Sequence, residues 1–485
     1  MLRKNQNLYP FGFLFAIVAF FLAITSFAQE KSILTFNEYL DQVKGKNLSY
    51  LAADQNAEAY ELMKEKAKVV TAINFFASTQ DAFTEQNQAL QFVRYSKVYN
   101  RNSQIGISQD SAFGLNTKLY YSLNHATYKN LNTSTSLDPS LARSNYQGIP
   151  TLEASLSLWQ NRSGKMTRAL RDSIQFENES QKMSAKAISI TSLVSSEQSY
   201  WELVSAQKIT KIQQGASNAA AQILSYVTRR AAMNLGERGD VLQAKALVES
   251  KRLLLLQAQN YEKIAARNFN KQRFLDSNEV QESLVNIDFA ALQNFLVPQI
   301  RAGNRFEIKA EEAMMKSVVA SAQVEEEKNK PSLNLYGSYF ENNVEKSTSS
   351  AISNSFDKQG RSAMIGIKLA MPINFGMSYR IRDGAAKSAS AAKMNYRQKV
   401  FEQENDWNNL IQNLQSYKEN LKLALAIEAV QKDKLENERR LLRQGRTSTY
   451  QILLFEQDYS NSQLTTVQIA NQFLSLIAEQ KLYGN

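Results

Sequence analysis

Few side chains in this 485-residue sequence could carry out covalent chemistry. It has no cysteine and a single histidine, His125. That composition removes disulfides, thiolate metal sites and cysteine nucleophiles. Zinc chemistry and Ser-His-Asp catalysis are left almost without ligands or bases. His125 falls at the end of an alternating run beside a polar loop and reads as a surface residue. Glu325-Glu326-Glu327 sits in a helical run and reads as a solvated face. No acid, base and nucleophile converge, so neither an enzyme nor a cofactor is expected. The informative residues are instead two glycines, Gly236 and Gly445, each interrupting a long helical run.

Around each glycine the pattern is the same: a polar–apolar helical run, the glycine, a few polar residues, then a second helical run. Glycine just past a helix end supplies the left-handed cap that other residues resist. Ser448 or Thr449, and Asp240, suit the N-cap of the returning helix. The run ending near Leu235 starts after Gly164, about 70 residues or ~105 Å of helix at 1.5 Å per residue. Two long antiparallel helical hairpins are therefore expected, and proline, at six positions in all, rarely interrupts them.

The N-terminus reads as a targeting segment. Arg3 and Lys4 precede the apolar run Phe11–Ile24, and Ser26-Phe27-Ala28 offers the small residues of a cleavage site, so residues 1–28 are expected to be a signal peptide. No later stretch approaches a spanning helix, and any membrane insertion must use strands. The net charge is +11, but it is dispersed along helical runs without a basic aromatic patch, so no nucleic-acid partner is expected.

Between the helices, alternation with period two marks strands. Leu115, Thr117, Leu119, Tyr121 and Leu123 share one face, and Leu152, Ala154, Leu156 and Leu158 share another. In the second half Leu333, Leu335, Gly337 and Tyr339 alternate with Ser332, Asn334 and Ser338. The last run places Ala363, Ile365, Ile367, Leu369 and Met371 on one side. Residues 29–285 and 286–485 thus follow one plan: short helices, strand, polar loop, strand, long helix, turn, return helix. That order is an internal duplication. Short helices near Leu34–Lys44 and Phe289–Val297 open the two halves, each before a glycine (Gly45, Gly303) and an asparagine (Asn47, Asn304). Thr79–Ser103 has no counterpart in the second half, and the first strand could lie anywhere between Ile73 and Leu123. Alternating strands of about ten residues fit an outer-membrane barrel with Leu152, Leu156, Leu158, Ile365, Ile367 and Leu369 facing lipid. Four strands per chain cannot close a barrel, so oligomerisation is required; three chains giving twelve strands is the simplest closed solution.

These features together resemble the TolC family of outer-membrane efflux channels. The residues carrying the resemblance are Leu34-Thr35-Phe36-Asn37-Glu38-Tyr39-Leu40, Gly303-Asn304, the junctions Leu156–Gln160 and Leu369–Gly376, and above all the two turns Gly236–Ala244 and Gly445–Leu453. The resemblance implies a mainly α fold with a membrane β-barrel part, duplicated, its helical hairpins forming a periplasmic α-barrel in a homotrimer. It implies an exit duct in the outer membrane of a Gram-negative bacterium, served by a periplasmic adaptor and an inner-membrane RND or ABC transporter. The turns, Gly236, Glu237, Arg238 and Gly239 with Gly445, Arg446, Thr447 and Ser448, would dock the adaptor. Asp240, Gln451 and Arg446 are the gate candidates. Asp240 resembles an acid that holds the family's tip closed, Thr447 fills the family's arginine position, and Gln451 and Leu454 stand where acidic rings occur in some members. A non-conducting periplasmic coiled-coil tether is the alternative reading.

Overall fold

The computed structural model describes residues 33–85, 93–94, 96–129, 132–133, 143–357 and 360–484. The expected signal peptide lies outside them. Helix α1 (Phe36–Lys46) starts where Thr35 and Glu38 close a capping box, the threonine oxygen accepting from the Glu38 N–H and the glutamate accepting from the Thr35 N–H. Gly45 does not end this helix, as the sequence suggested, but lies in its last turn. Asn47 does cap α2 (Leu48–Met63), accepting from the Tyr50 N–H at 3.0 Å. In the second half Asn304 has a different task. Its Oδ1 accepts from Gln403, and Arg305 is the N-cap of α6 (Phe306–Lys328).

The long helices are α3 (Lys165–Ala232) and α7 (Phe375–Arg443), returned by α4 (Arg238–Gln272) and α8 (Thr449–Gln480). The short apolar helix α5 is confined to Phe289–Gln293, started by Asp288 accepting from two backbone N–H groups. Among the described residues no helix is long and apolar enough to cross a membrane.

Two compact units divide the chain, and each draws on both halves of the sequence. The first, 1–53, 188–303 and 406–485, is helical around an aromatic core. Tyr39 stacks on Phe269 at 4.4 Å, Tyr200 packs against both, and Leu203, Leu414, Leu421 and Phe473 close round them. The hydroxyls of these two tyrosines are satisfied: Tyr39 Oη donates to the Phe269 carbonyl and Tyr200 Oη to that of Leu34. Burial and ring pairing of this kind stabilise by more than area alone. Ile33–Leu34 also pairs in parallel with Ser283–Leu284, joining the start of the first half to its end.

The second unit, 54–187 and 304–405, holds the sheet. Its long strands are β1 (Ile73–Glu85), β2 (Lys97–Asp110), β3 (Leu115–Lys129), β4 (Ser144–Ser157), β5 (Ser332–Glu341) and β6 (Arg361–Ala370). They lie in the order β6-β5-β4-β3-β2-β1, every pair antiparallel, and the short strand Asn343–Glu345 adds to β4. The expectation of four strands per chain is thus corrected to six long strands among the described residues. The first half contributes four and the second two. Sequence alternation missed β1 and β2 because Asn, Ser, Thr and Gln fill much of both their faces, which leaves little hydrophobic contrast to read.

Candidate functional site

The two helical turns belong to one unit and are built alike. After α7, Gly445 takes φ +68°, the Arg446 N–H bonds the Leu441 carbonyl at 3.0 Å and the Gly445 N–H bonds Leu442 at 3.0 Å. This is a Schellman cap. After α3 the same pair of bonds runs from Leu235 to Arg230 and from Asn234 to Ala231, at 3.0 and 3.1 Å. The left-handed residue there is Asn234, φ +55°, and not Gly236. Asparagine tolerates that conformation where most residues do not.

The equivalence of the turns therefore shifts by two residues from the one the glycines suggested. Glu237 and Ser448 are the matching N-caps, with φ/ψ of −90°/150° and −87°/153°. Ser448 accepts from the Gln451 N–H at 3.2 Å, as expected of a cap; Glu237 makes no such bond. Asp240, expected as a cap, instead sits three residues inside α4, in its first turn, where a carboxylate is favoured by the helix dipole. Its counterpart in the second turn is Gln451.

Below the turns the hairpins are locked together. Ile223, Val227, Leu435, Leu442, Ile452 and Leu453 form a buried cluster with Tyr226, Val241, Leu247, Phe455 and Tyr459 packed against it. Tyr226 Oη donates to the Leu442 carbonyl at 3.1 Å. Arg439 grips Glu456 with Nε at 2.8 Å and Nη2 at 2.5 Å, and Lys434 meets Asp458 at 3.1 Å. Thr449 Oγ1 approaches Asp240 Oδ2 at 3.5 Å, the polar contact that ties one turn to the other. Nothing in the sequence marks the Arg439–Glu456 pair, and Thr449 stands out there only as a possible N-cap. Thr449 meets the other hairpin and Arg439 meets Glu456 across the Gly445 turn, and neither pairing has a local spacing to read.

Of the expected tip residues, Gly236, Glu237, Arg238, Gly239, Gly445, Arg446 and Ser448 are exposed. Thr447 is half-buried and donates to the Glu438 carboxylate. Asp240 and Gln451 are half-buried, and among the described residues no ion pair joins Asp240 to Arg446. Met233, Leu235, Leu242 and Tyr450 are exposed beside the turns, which gives the tip an apolar component the glycines alone do not supply.

The sheet presents the second candidate surface. One cross-strand row runs Phe75, Ile107, Leu119, Leu152, Tyr339, Ala363, and another runs Leu115, Leu156, Leu335, Ile367. Leu152, Leu156, Leu158, Ile365, Ile367 and Leu369 all lie on this face and are all exposed, Ile365 at 79%. The opposite face is polar, with the row Asn74, Ser108, Lys118, Glu153, Ser338, Met364. On that side Tyr336 lies over Gly366 and Tyr120 beside Gly106, where a Cβ would meet ring atoms at 2.7 Å and the Tyr120 Cβ at 2.4 Å. Trp159, just past the end of β4, is 50% exposed, and His125 stacks on Tyr146 at 4.1 Å.

Solved structures share this fold. The outer membrane protein VceC from Vibrio cholerae matches 93% of this chain and 96% of its own at TM-score 0.63 and 14% identity. The open state of the Neisseria gonorrhoeae MtrE outer membrane channel matches 92% and 88% at TM-score 0.64 and 14% identity. The Campylobacter jejuni CmeC outer membrane channel matches 92% and 85% at TM-score 0.59 and 14% identity. The fold is that of the TolC-family outer-membrane channels. No family model matches the sequence, and no curated protein does either. Within this TolC-like fold, the turns Met233–Glu237 and Gln444–Ser448 of the helical unit lie side by side through Asp240 and Thr449.

Proposed function

We propose that the chain is one subunit of an outer-membrane channel, the exit duct of a tripartite efflux or secretion system. The observation that carries this reading is the exposed apolar face crossing six strands, backed by a polar face. In water such a surface is a liability; in a bilayer it is the outer wall of a barrel whose lumen is polar. Leu152, Leu156, Leu158, Ile365, Ile367 and Leu369 meet lipid in this reading. Sheet edges are not tolerated in hydrocarbon, so copies of the chain must close the wall together, and a homotrimer is the assembly proposed. The signal peptide, residues 1–28, delivers the chain to the envelope, and the repeats 29–285 and 286–485 build the helical part in the periplasm.

Substrate passes through without covalent chemistry, driven by an inner-membrane RND or ABC transporter and handed on by a periplasmic adaptor. Gly236, Glu237, Arg238, Gly239, Gly445, Arg446, Thr447 and Ser448 are the adaptor's landing site, helped by exposed Met233 and Leu235. A periplasmic tether would leave the apolar sheet face in water, which favours the channel. The test is fractionation with planar-bilayer recording. A heat-modifiable trimer in the outer-membrane fraction with single-channel conductance is expected; a soluble periplasmic monomer would overturn the reading.

A further inference from the structure

Strands β1 and β2 raise a question that the channel reading leaves open: whether they enter the barrel wall or fold away from it. We infer that they enter it, and that successive copies of the chain join edge strand β1 to edge strand β6, each copy contributing six strands. The inference rests on the channel reading, since a wall exists only if the sheet meets lipid.

Three observations support it. First, β3 has no free edge for a neighbouring copy. Its backbone pairs with β2 along the full register from Lys97↔Lys129 to Asp110↔Asn116, and β2 pairs with β1 from Ile73↔Gln109 to Glu85↔Lys97. Second, the end of the β1–β2 hairpin that carries Ile73–Ala77 and Ile105–Ile107 continues the apolar face. Phe75 and Ile107 fall in the row of Leu119 and Leu152, and Ala77 and Ile105 in the next row on that face, with Tyr121 and Pro150; Phe75 is 68% and Ile107 42% exposed. A hairpin folded off into water would gain nothing from apolar residues held to that register, and slipping by one residue would turn them all to the polar side. Third, the edges fit one another. Every neighbouring pair is antiparallel, so over six strands β1 and β6 run in opposite directions. Placed side by side in adjacent copies they form one more antiparallel pair. Both edges are long, 13 and 10 residues, contain no proline and, among the described residues, pair with no other strand on their outer side. Proline and bulges are among the devices by which natural proteins blunt an edge that is to stay free, and neither edge has them, the β1–β2 and β5–β6 registers running unbroken.

The consequence concerns the size of the duct. Three copies would close a wall of eighteen strands rather than twelve, and because barrel diameter grows roughly linearly with strand number, the wall would be about half again as wide. Strand counts in that range leave an aqueous lumen.

The absence of cysteine makes the test direct. Chains carrying Ile73→Cys, Phe75→Cys or Ala77→Cys together with Ile365→Cys or Ile367→Cys are oxidised in outer-membrane fractions. A parallel set pairs Leu119→Cys with the same β6 positions. Covalent dimers and trimers from the β1 set, and none from the Leu119 set, are expected. Cross-links from Leu119 instead would mean that β3 is the seam and would overturn the inference. As a second readout, Phe75→Cys and Ile107→Cys should resist a water-soluble maleimide in intact membranes and react after denaturation. Immediate labelling of both would place the hairpin in water and sink the proposal. Heat-modifiable trimers scored without oxidation separate the two levels. Trimers that form but never cross-link through β1 refute the six-strand wall alone, whereas loss of trimers altogether refutes the channel reading beneath it.

Discussion

At the scale of single residues, the two turns solve one backbone problem with different side chains. Gly445 and Asn234 both hold a left-handed conformation at the C-terminal side of a long helix. At Gly445 an added Cβ would meet nothing within 4 Å, so the cost of substitution is conformational and not steric. Gly445→Ala should therefore destabilise the hairpin by about 1 kcal/mol, and Asn234→Gly should leave it equal or slightly more stable. Thermal unfolding of the detergent-solubilised protein measures both. A large loss from Asn234→Gly would show that the asparagine side chain, and not its φ, matters there. The sequence marked Gly236 because glycine is the usual signal. Its φ is ordinary in the structure, and the strained position two residues earlier carries an asparagine that could equally have been a surface polar residue.

At the scale of elements, α2 and α3 are clasped by a small ionic network. The Glu61 carboxylate takes Lys64 and Lys182, each at 2.6 Å, and Lys64 also reaches Glu179. Hydrogen bonds from Lys182 and then Lys64 hold the Glu61 carboxyl down at about 2. A carboxyl whose pKa is lowered on folding contributes stability that is fully present above its unfolded value and lost as pH falls through its folded one. Glu61→Gln should thus be less stable than the parent at pH 7, and the gap should close between pH 4.5 and about 2. Melting curves across that range decide it; a gap that persists at the acid end would remove the network from the clasp. The clasp joins helices more than a hundred residues apart in sequence, and neither Glu61 nor Lys182 carries a local pattern that announces it.

At the scale of the whole molecule, the proposed duct would need a wall, a landing site and a closure. Asp240, a proposed gate residue, is half-buried and beside Thr449 of the other hairpin. Among the described residues no ion pair joins it to Arg446, and Gln451 is the same helical position in the second hairpin, neutral where the first is acidic. Asp240→Ala should raise closed-state leakage in planar bilayers, with the rise weakening as salt screens the tip. Unchanged leakage would take Asp240 out of the gate.

The sequence by itself determined whatever depends on neighbours along the chain. Helix length and the hairpin plan follow from apolar periodicity and scarce proline, and the strands β3 to β6 from clean alternation at Leu115–Leu123, Leu152–Leu158, Leu333–Tyr339 and Ala363–Met371. The N-caps at Asn47 and Ser448 were also legible, because a cap acts within three residues of itself. Tertiary structure decided what depends on partners far away in sequence. Strands β1 and β2 are recruited by pairing, since backbone hydrogen bonds to β3 can hold a polar stretch that periodicity would leave as loop. The true match of the turns was set by which residue each Schellman cap needs at positive φ, and the bond between Asp240 and Thr449 by hairpins 209 residues apart meeting through their buried cluster.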